Sequence, residues 1–480
     1  MTTTLPRAVA LAAAALFAVP FLTGCGPKEC KLNDPSTCDS NQTCEAVTGQ
    51  EKPLCFAPVE VRGKVFDLTT DNKAPIQGAQ VTALDENGAP VSSVVTTPAD
   101  GTFSIRVPST RSDSRGTPVA RTVTLRAAAQ DFTPFPSGIR TAVPLDTSTA
   151  AHSSDSDPYV LSGLGTDVGL APVPAGARGQ PKITGTVEVD ATQKGVLVVA
   201  EETIGIGSPS FASAVADSSG SFTIFNVSPA GYTVRGFSRG VNYTPVSVTV
   251  SAGTDITDVH LMKATTATAT LSSKVQVVAG SGVTSIVLAV KATFNNLLAR
   301  GEVVPGLRAP EPGTAPNVSG NFTITGIPDG DYAVLAGFEN DGEVRDPDPG
   351  ISGTTIQFIS VRDGSVLNPP DGFKVTDAIV IGAPGSGSTP EEVPTLTPTF
   401  IWQAYPSTAS YTVELINSLG QIIWTKSGIT GTQVAYDGTT ALVDGQLYQW
   451  RATAFRSSGG QLLPTSLTED LKGVFVINLP

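Results

Sequence analysis

The chain has 480 residues, which at roughly 100–200 residues per domain makes three or four domains. Its 48 glycines and 37 prolines, with only 15% charged residues, describe short strands between turns and exclude a helical bundle. Two histidines leave little for imidazole catalysis or a histidine metal cluster, and a formal charge of −13 excludes a nucleic-acid partner, whose phosphates need a basic footprint.

Residues 1–24 read as an export signal, with Arg7 before a short apolar core. That core is too short for the ~20 residues of a spanning helix. It ends in Leu22-Thr23-Gly24-Cys25, which resembles the lipobox of bacterial prolipoproteins. The resemblance implies cleavage before Cys25, acylation of Cys25 and membrane anchorage through lipid alone. Gly26, where inner-membrane retention in that family uses aspartate, implies the outer membrane. Cys30, Cys38, Cys44 and Cys55 remain in a polar stretch, 25–57, that has little to bury, so crosslinks must hold it. Four cysteines allow three pairings. The stretch resembles the small EGF-like modules found beside lipoprotein anchors, and on that resemblance Cys30 pairs with Cys44 and Cys38 with Cys55.

One pattern then recurs three times: Asp100-Gly101-Thr102-Phe103-Ser104-Ile105, Ser219-Gly220-Ser221-Phe222-Thr223-Ile224 and Ser319-Gly320-Asn321-Phe322-Thr323-Ile324. Each is a tight turn followed by a strand whose Phe and Ile share a face. In the last two copies a Pro/Gly turn follows, then Tyr232 and Val234, or Tyr332 and Val334. Upstream, Val59, Val61, Gly63 and Val65 alternate with Glu60, Arg62 and Lys64, and 183–189 opens the second copy. Gly63-Lys64-Val65, the Pro75-to-Val81 segment and the Gly-x-Phe strand resemble carboxypeptidase regulatory-like domains. This implies an all-β, transthyretin-like antiparallel sandwich without catalytic residues. The expected sandwiches are 58–145, 181–263 and a divergent 264–384. The related Cna B-type adhesin repeats carry a Lys–Asn isopeptide bond, which needs a core-facing lysine; Lys64 falls on the polar face instead. Segment 146–180, rich in Ser, Ala, Gly and Pro, reads as a linker or a long loop and 385–394 as a linker, so the expected shape is beads on a string projecting from the membrane.

All three tryptophans fall in 395–480. Alternating strands around Trp402, Tyr411, Trp424 and Trp450 resemble a fibronectin type III or immunoglobulin-like sandwich. Trp402 and Trp450 are expected in its core, whereas Trp424, after Ile422-Ile423 in an edge hairpin, is the candidate ligand-binding ring.

Few residues suggest chemistry. Gly236-Phe237-Ser238-Arg239-Gly240 fits G-x-S-x-G, yet the elbow needs a strand–helix turn and this one lies among strands, with His260 as its only nearby base. Asp341, Asp346 and Asp348 form the better of two acidic clusters for a structural calcium ion, the other being Asp155 with Asp157; otherwise no cofactor is expected. The reading is a non-catalytic, lipid-anchored envelope protein presenting tandem sandwiches for adhesion, or for binding envelope polysaccharide or protein. The alternatives are a carbohydrate-active hydrolase (or its accessory subunit) and a mechanical spacer without a ligand.

Overall fold

The computed structural model describes residues 27–32, 35–137, 142–154, 157–190, 195–203, 211–278, 282–296, 299–311, 314, 316–336, 344–345 and 351–480. The chain is all-β, built as sheets packed face to face, and the helical elements among the described residues are single 3-10 turns. None of them is long and apolar enough to cross a membrane.

The first three sandwiches share one plan. The opening strand of each lies between an antiparallel Gly-x-Phe strand and a parallel closing strand. In the first, Val59–Asp67 pairs with Thr102–Val107 and, on its other side, with Val160–Ser162 and Val168–Leu170. In the second, Ile183–Val187 lies between Ser221–Ile224 and Ile256–Leu261. In the third, Ala269–Val277 lies between Asn321–Ile327 and Phe373–Asp377. The facing sheets centre on Gln80–Asp85 with Thr122–Ala128, Leu197–Glu202 with Gly231–Phe237, and Ile286–Val290 with Gly330–Leu335.

The repeated residues explain the plan. A Cβ on Gly63 would lie 2.2 Å from the Thr166 carbonyl oxygen and 2.9 Å from the Phe103 ring; on Gly185 it would lie 2.0 Å from the Val259 oxygen and 2.9 Å from Phe222. Glycine is therefore needed where the closing segment and the recurring Phe converge on the opening strand. In the third copy Ser273 stands opposite Phe322, and its hydroxyl donates to the Pro370 carbonyl at 2.8 Å. The Tyr232 and Tyr332 hydroxyls each donate to a carbonyl four residues back, Ser228 at 3.0 Å and Pro328 at 2.8 Å, so each ring is buried with its polar tip satisfied.

The last sandwich sets Ile381–Ala383, Thr399–Trp402 and Gln433–Ala435 against a larger sheet. That sheet runs Glu391–Val393, Val474–Ile477, Leu447–Ser458, Ser410–Ile416, Ile422–Ile429, with Gln461–Leu467 also on Leu447–Ser458. Its first strands thus begin before residue 395, and Glu391–Val393 falls within the expected 385–394 linker. Likewise, 146–180 is not a free linker, because its two three-residue strands complete the first sandwich. Strands this short, paired in parallel with a segment roughly a hundred residues away, leave no local periodicity to read.

The string of beads is also replaced. Leu197, Val199 and Phe237 of the second sandwich belong to the core of the third. Ala89, on a turn of the first, packs with Val287, Ala289, Val303, Ala333 and Leu335 on the outer face of the third. Ser388 of the last sandwich donates to Asp146 of the first at 2.6 Å. The sandwiches therefore fold back on one another.

Candidate functional site

Cys25 lies outside the described residues, as do Asp341, Asp346 and Asp348. The four remaining cysteines form Cys30–Cys44 and Cys38–Cys55. This stapled segment is docked on the first sandwich rather than hanging free. Glu45 and Arg111, 3% and 1% exposed, form an ion pair, and Arg111 also donates to the Gly116 and Ala57 carbonyls at 2.6 and 2.9 Å. A buried charge pair is tolerated only when its other hydrogen-bonding positions are filled, as they are here.

Trp424 is a core residue, a correction to its expected exposure. It is 8% exposed, its ring meets Tyr436 edge-on at 5.4 Å, and its indole N–H donates to Asp437 at 2.9 Å. The edge strand bends it inward because Phe400, Tyr436 and Trp450 leave an aromatic layer to complete. Trp402 and Trp450 lie in the same core.

The G-x-S-x-G segment belongs to a joint between sandwiches. Phe237 enters the third core and meets Tyr332 edge-on at 6.1 Å. Ser238 is buried on a tight hairpin with Val241, Arg239 pairs with Glu311, and the Gly240 N–H donates to the Gly326 carbonyl at 2.7 Å. His260 sits in the opposite sheet of the second sandwich, bonded to the Thr186 hydroxyl at 2.7 Å. His152 stacks on Tyr159 at 4.2 Å.

Sequence reasoning missed the charged hub. Arg126 of the first sandwich donates to Ser213 Oγ of the second at 3.0 Å and to Glu302 of the third at 2.9 Å, while Ser213 donates to Glu302 at 2.6 Å. Burial pushes the Glu302 carboxyl up, but Arg126 and Ser213 outweigh it and hold it below the usual carboxylate range. Arg300 of the third sandwich pairs with Asp470 of the last at 3.0 Å, and Arg308 with Glu86 of the first at 3.4 Å. Burial, then the Glu86 carboxylate, push the neighbouring Asp85 carboxyl up to about 6. Asn226, at φ +57°, joins the first two sandwiches by accepting from the Asp131 N–H at 2.8 Å and donating to the Phe132 carbonyl at 2.9 Å. One signal was present in the sequence: Val196 to Ala200 and Ile286 to Val290 are unbroken apolar runs, which mark strands covered on both faces.

Among the described residues, clefts open between sandwiches. One, of about 470 Å³, is at the hub and is lined by residues of all four, Arg126, Phe211, Glu302 and Asp470 among them. Another, of about 380 Å³, separates the first sandwich from the last. Phe66, Leu68 and Leu164 line one wall, and Ile416, Val443 and Tyr448 the other. Leu164 and Val443 are 42% and 49% exposed, a high value for large apolar side chains lining a groove.

No protein-family model matches the chain, and no curated protein matches it. Among solved structures it is similar to two B repeat units of the collagen-binding protein of Staphylococcus aureus, with 11% identity over 85% of this chain and 99% of that one, TM-score 0.18. It is also similar to a streptococcal ancillary pilin, with 11% identity over 66% and 98%, TM-score 0.17. A third is the shaft pilin SpaA of Lactobacillus rhamnosus GG, with 13% identity over 43% and 97%, TM-score 0.17. At these TM-scores the chains do not superpose as wholes, and the likeness decides nothing about what this protein does.

Proposed function

We propose that this chain is an exported, non-catalytic envelope protein, anchored through lipid on Cys25, whose clustered sandwiches form a binding platform for adhesion or for an envelope partner. The partner sits between the first and last sandwiches. The observation that carries this reading is the 380 Å³ cleft, whose apolar walls come from opposite ends of the chain and leave Leu164 and Val443 half in water. Such a groove matches the size and lining of ligand sites.

A hydrolase reading has less to work with. Glycoside hydrolysis needs two carboxyl groups flanking the bond, whereas the hub carboxylates Glu302, Asp470 and Glu86 each face an arginine. The anchorage is tested by expressing the full chain and Cys25→Ser, with palmitate labelling and membrane fractionation. Label and outer-membrane partitioning are expected for the wild type and absent in the variant; equal solubility of both would sink the anchorage. The platform is tested by comparing the ligand binding of the full chain with that of a Leu164→Ser/Val443→Ser variant. Both side chains are exposed enough for the fold to persist, so unchanged binding would remove the cleft from the reading.

A further inference from the structure

Resting on the cleft reading above, we infer that the groove between the first and last sandwiches takes a basic, aliphatic polypeptide segment rather than a sugar chain. Phe66, Leu68, Leu164, Ile416, Val443 and Tyr448 give its walls a large apolar share, and several of the polar groups beside them are already engaged. The Ser418 hydroxyl donates to the Leu447 carbonyl at 2.6 Å. The Gln449 amide donates to the Asp470 and Lys472 carbonyls at 2.7 and 2.9 Å. The Tyr448 hydroxyl receives the Val443 N–H at 2.9 Å, and the Asn417 side-chain oxygen receives the Leu419 and Gln421 N–H groups, each at 3.0 Å. A pyranose brings a ring of hydroxyls that must exchange water for protein partners, and burying them unmet costs more than the ring face returns. An aliphatic side chain asks for no partner and gains by leaving water.

The rim sets the charge of the occupant. Asp71, Asp167 and Asp444 line the groove against a single cation, Lys73, whose ammonium lies over the Phe66 ring at 5.2 Å from its centroid. Asp167 and Asp444 each accept one backbone N–H, from Lys64 and Leu479, both at 2.9 Å, which fixes their carboxylates at the rim while leaving their charge in place. A net acidic rim around an apolar floor complements a segment with Leu, Val or Ile flanked by Lys or Arg. The chain's overall charge of −13 favours the encounter with such a segment at a distance.

The test uses the full mature chain and three fluorescein-labelled dodecapeptides with one Leu/Val core and Lys, Gln or Glu flanks. Muropeptides and a neutral polysaccharide serve as sugar probes. The Lys-flanked peptide is expected to bind about tenfold more tightly than the Gln-flanked one at low salt, with the gap closing in high salt. Asp71→Asn/Asp444→Asn should erase the gap, while Leu164→Ser/Val443→Ser should weaken both peptides. Equal binding of Lys and Glu flanks, still lost in the Leu164/Val443 variant, would overturn the basic segment and leave the cleft standing. Saturable binding of a sugar probe alone, lost in the same variant, would do likewise. Lys-peptide binding that ignores Leu164→Ser/Val443→Ser would overturn the cleft itself.

Discussion

The joint between the second and third sandwiches and the meeting of the first with the last use the same kinds of residue to opposite ends. In the former, Leu197, Val199 and Phe237 cross the boundary into one continuous core, sealed by the Gly240–Gly326 backbone bond and the Arg239–Glu311 pair. In the latter, Leu164 and Val443 both line an open groove, and the Asp146–Ser388 hydrogen bond supplies a polar link. Burial pushes the Asp146 carboxyl up, yet the Ser388 and Ser148 bonds hold it below its usual range. The difference teaches that proximity of two sandwiches makes a rigid joint only when a strand is apolar on both faces. Where each sheet keeps its own alternation, the boundary stays wet and can be filled by something else.

Emptying the sealed joint is the strongest way to break this contrast. Phe237→Ala is expected to cost about 3–5 kcal/mol in urea unfolding, through lost burial and the cavity left behind, and to separate one transition into two. A loss under about 1 kcal/mol would mean that the two cores are independent. Next, Arg126→Met removes the cation that faces Glu302 at the hub. A loss of about 3 kcal/mol is expected, with a larger radius of gyration in solution scattering, because a carboxylate is left without its partner. An unchanged radius would show that apolar contacts alone hold the cluster.

The pH dependence sharpens the account of the hub. Asp85 holds its proton in the folded state up to about pH 6, whereas the unfolded chain releases it near the ordinary aspartate value of about 4. The folded state thus binds more protons between those values, and stability falls as pH rises through that window, by about 3 kcal/mol. Asp85→Asn should remove this fall while keeping the Asn87 and Ala89 N–H bonds to the side-chain oxygen. A variant whose unfolding free energy has the same slope from pH 4 to 6 as the wild type would assign the effect elsewhere. Smallest is the repeat itself: Gly185→Ala should cost about 1–3 kcal/mol by forcing the closing strand away, and Ser273→Ala about 1 kcal/mol for one hydrogen bond. Equal effects at the two sites, measured by thermal unfolding, would show that the glycine is not a packing requirement.

The all-β class was legible because Gly-x-Phe turns and Tyr-x-Val strands are local, and Val59, Val61 and Val65 announce their buried face within a few residues. The closing strands were not legible, since Val160–Ser162 and Val168–Leu170 gain their identity only from a distant parallel partner. The same holds for the hub. Arg126 reads as a polar residue on an outward face, and only the folding back of two further sandwiches buries it. Trp424 was placed outside because its strand is an edge strand; what pulls it in is the layer formed with Phe400 and Tyr436, which lie in the opposing sheet and around the next turn. The 380 Å³ cleft has no local signature at all, because its two walls come from opposite ends of the sequence.

The parallel pairing of opening and closing strands, present in each of the first three sandwiches, has a mechanical consequence. When two neighbouring strands run the same way and the chain enters by one and leaves by the other, tension along the chain slides them past each other. The hydrogen bonds between them then share the force and must give way together, instead of opening one at a time as in a hairpin pulled apart at its ends. Each of these three sandwiches is thus arranged as a clasp that resists stretching.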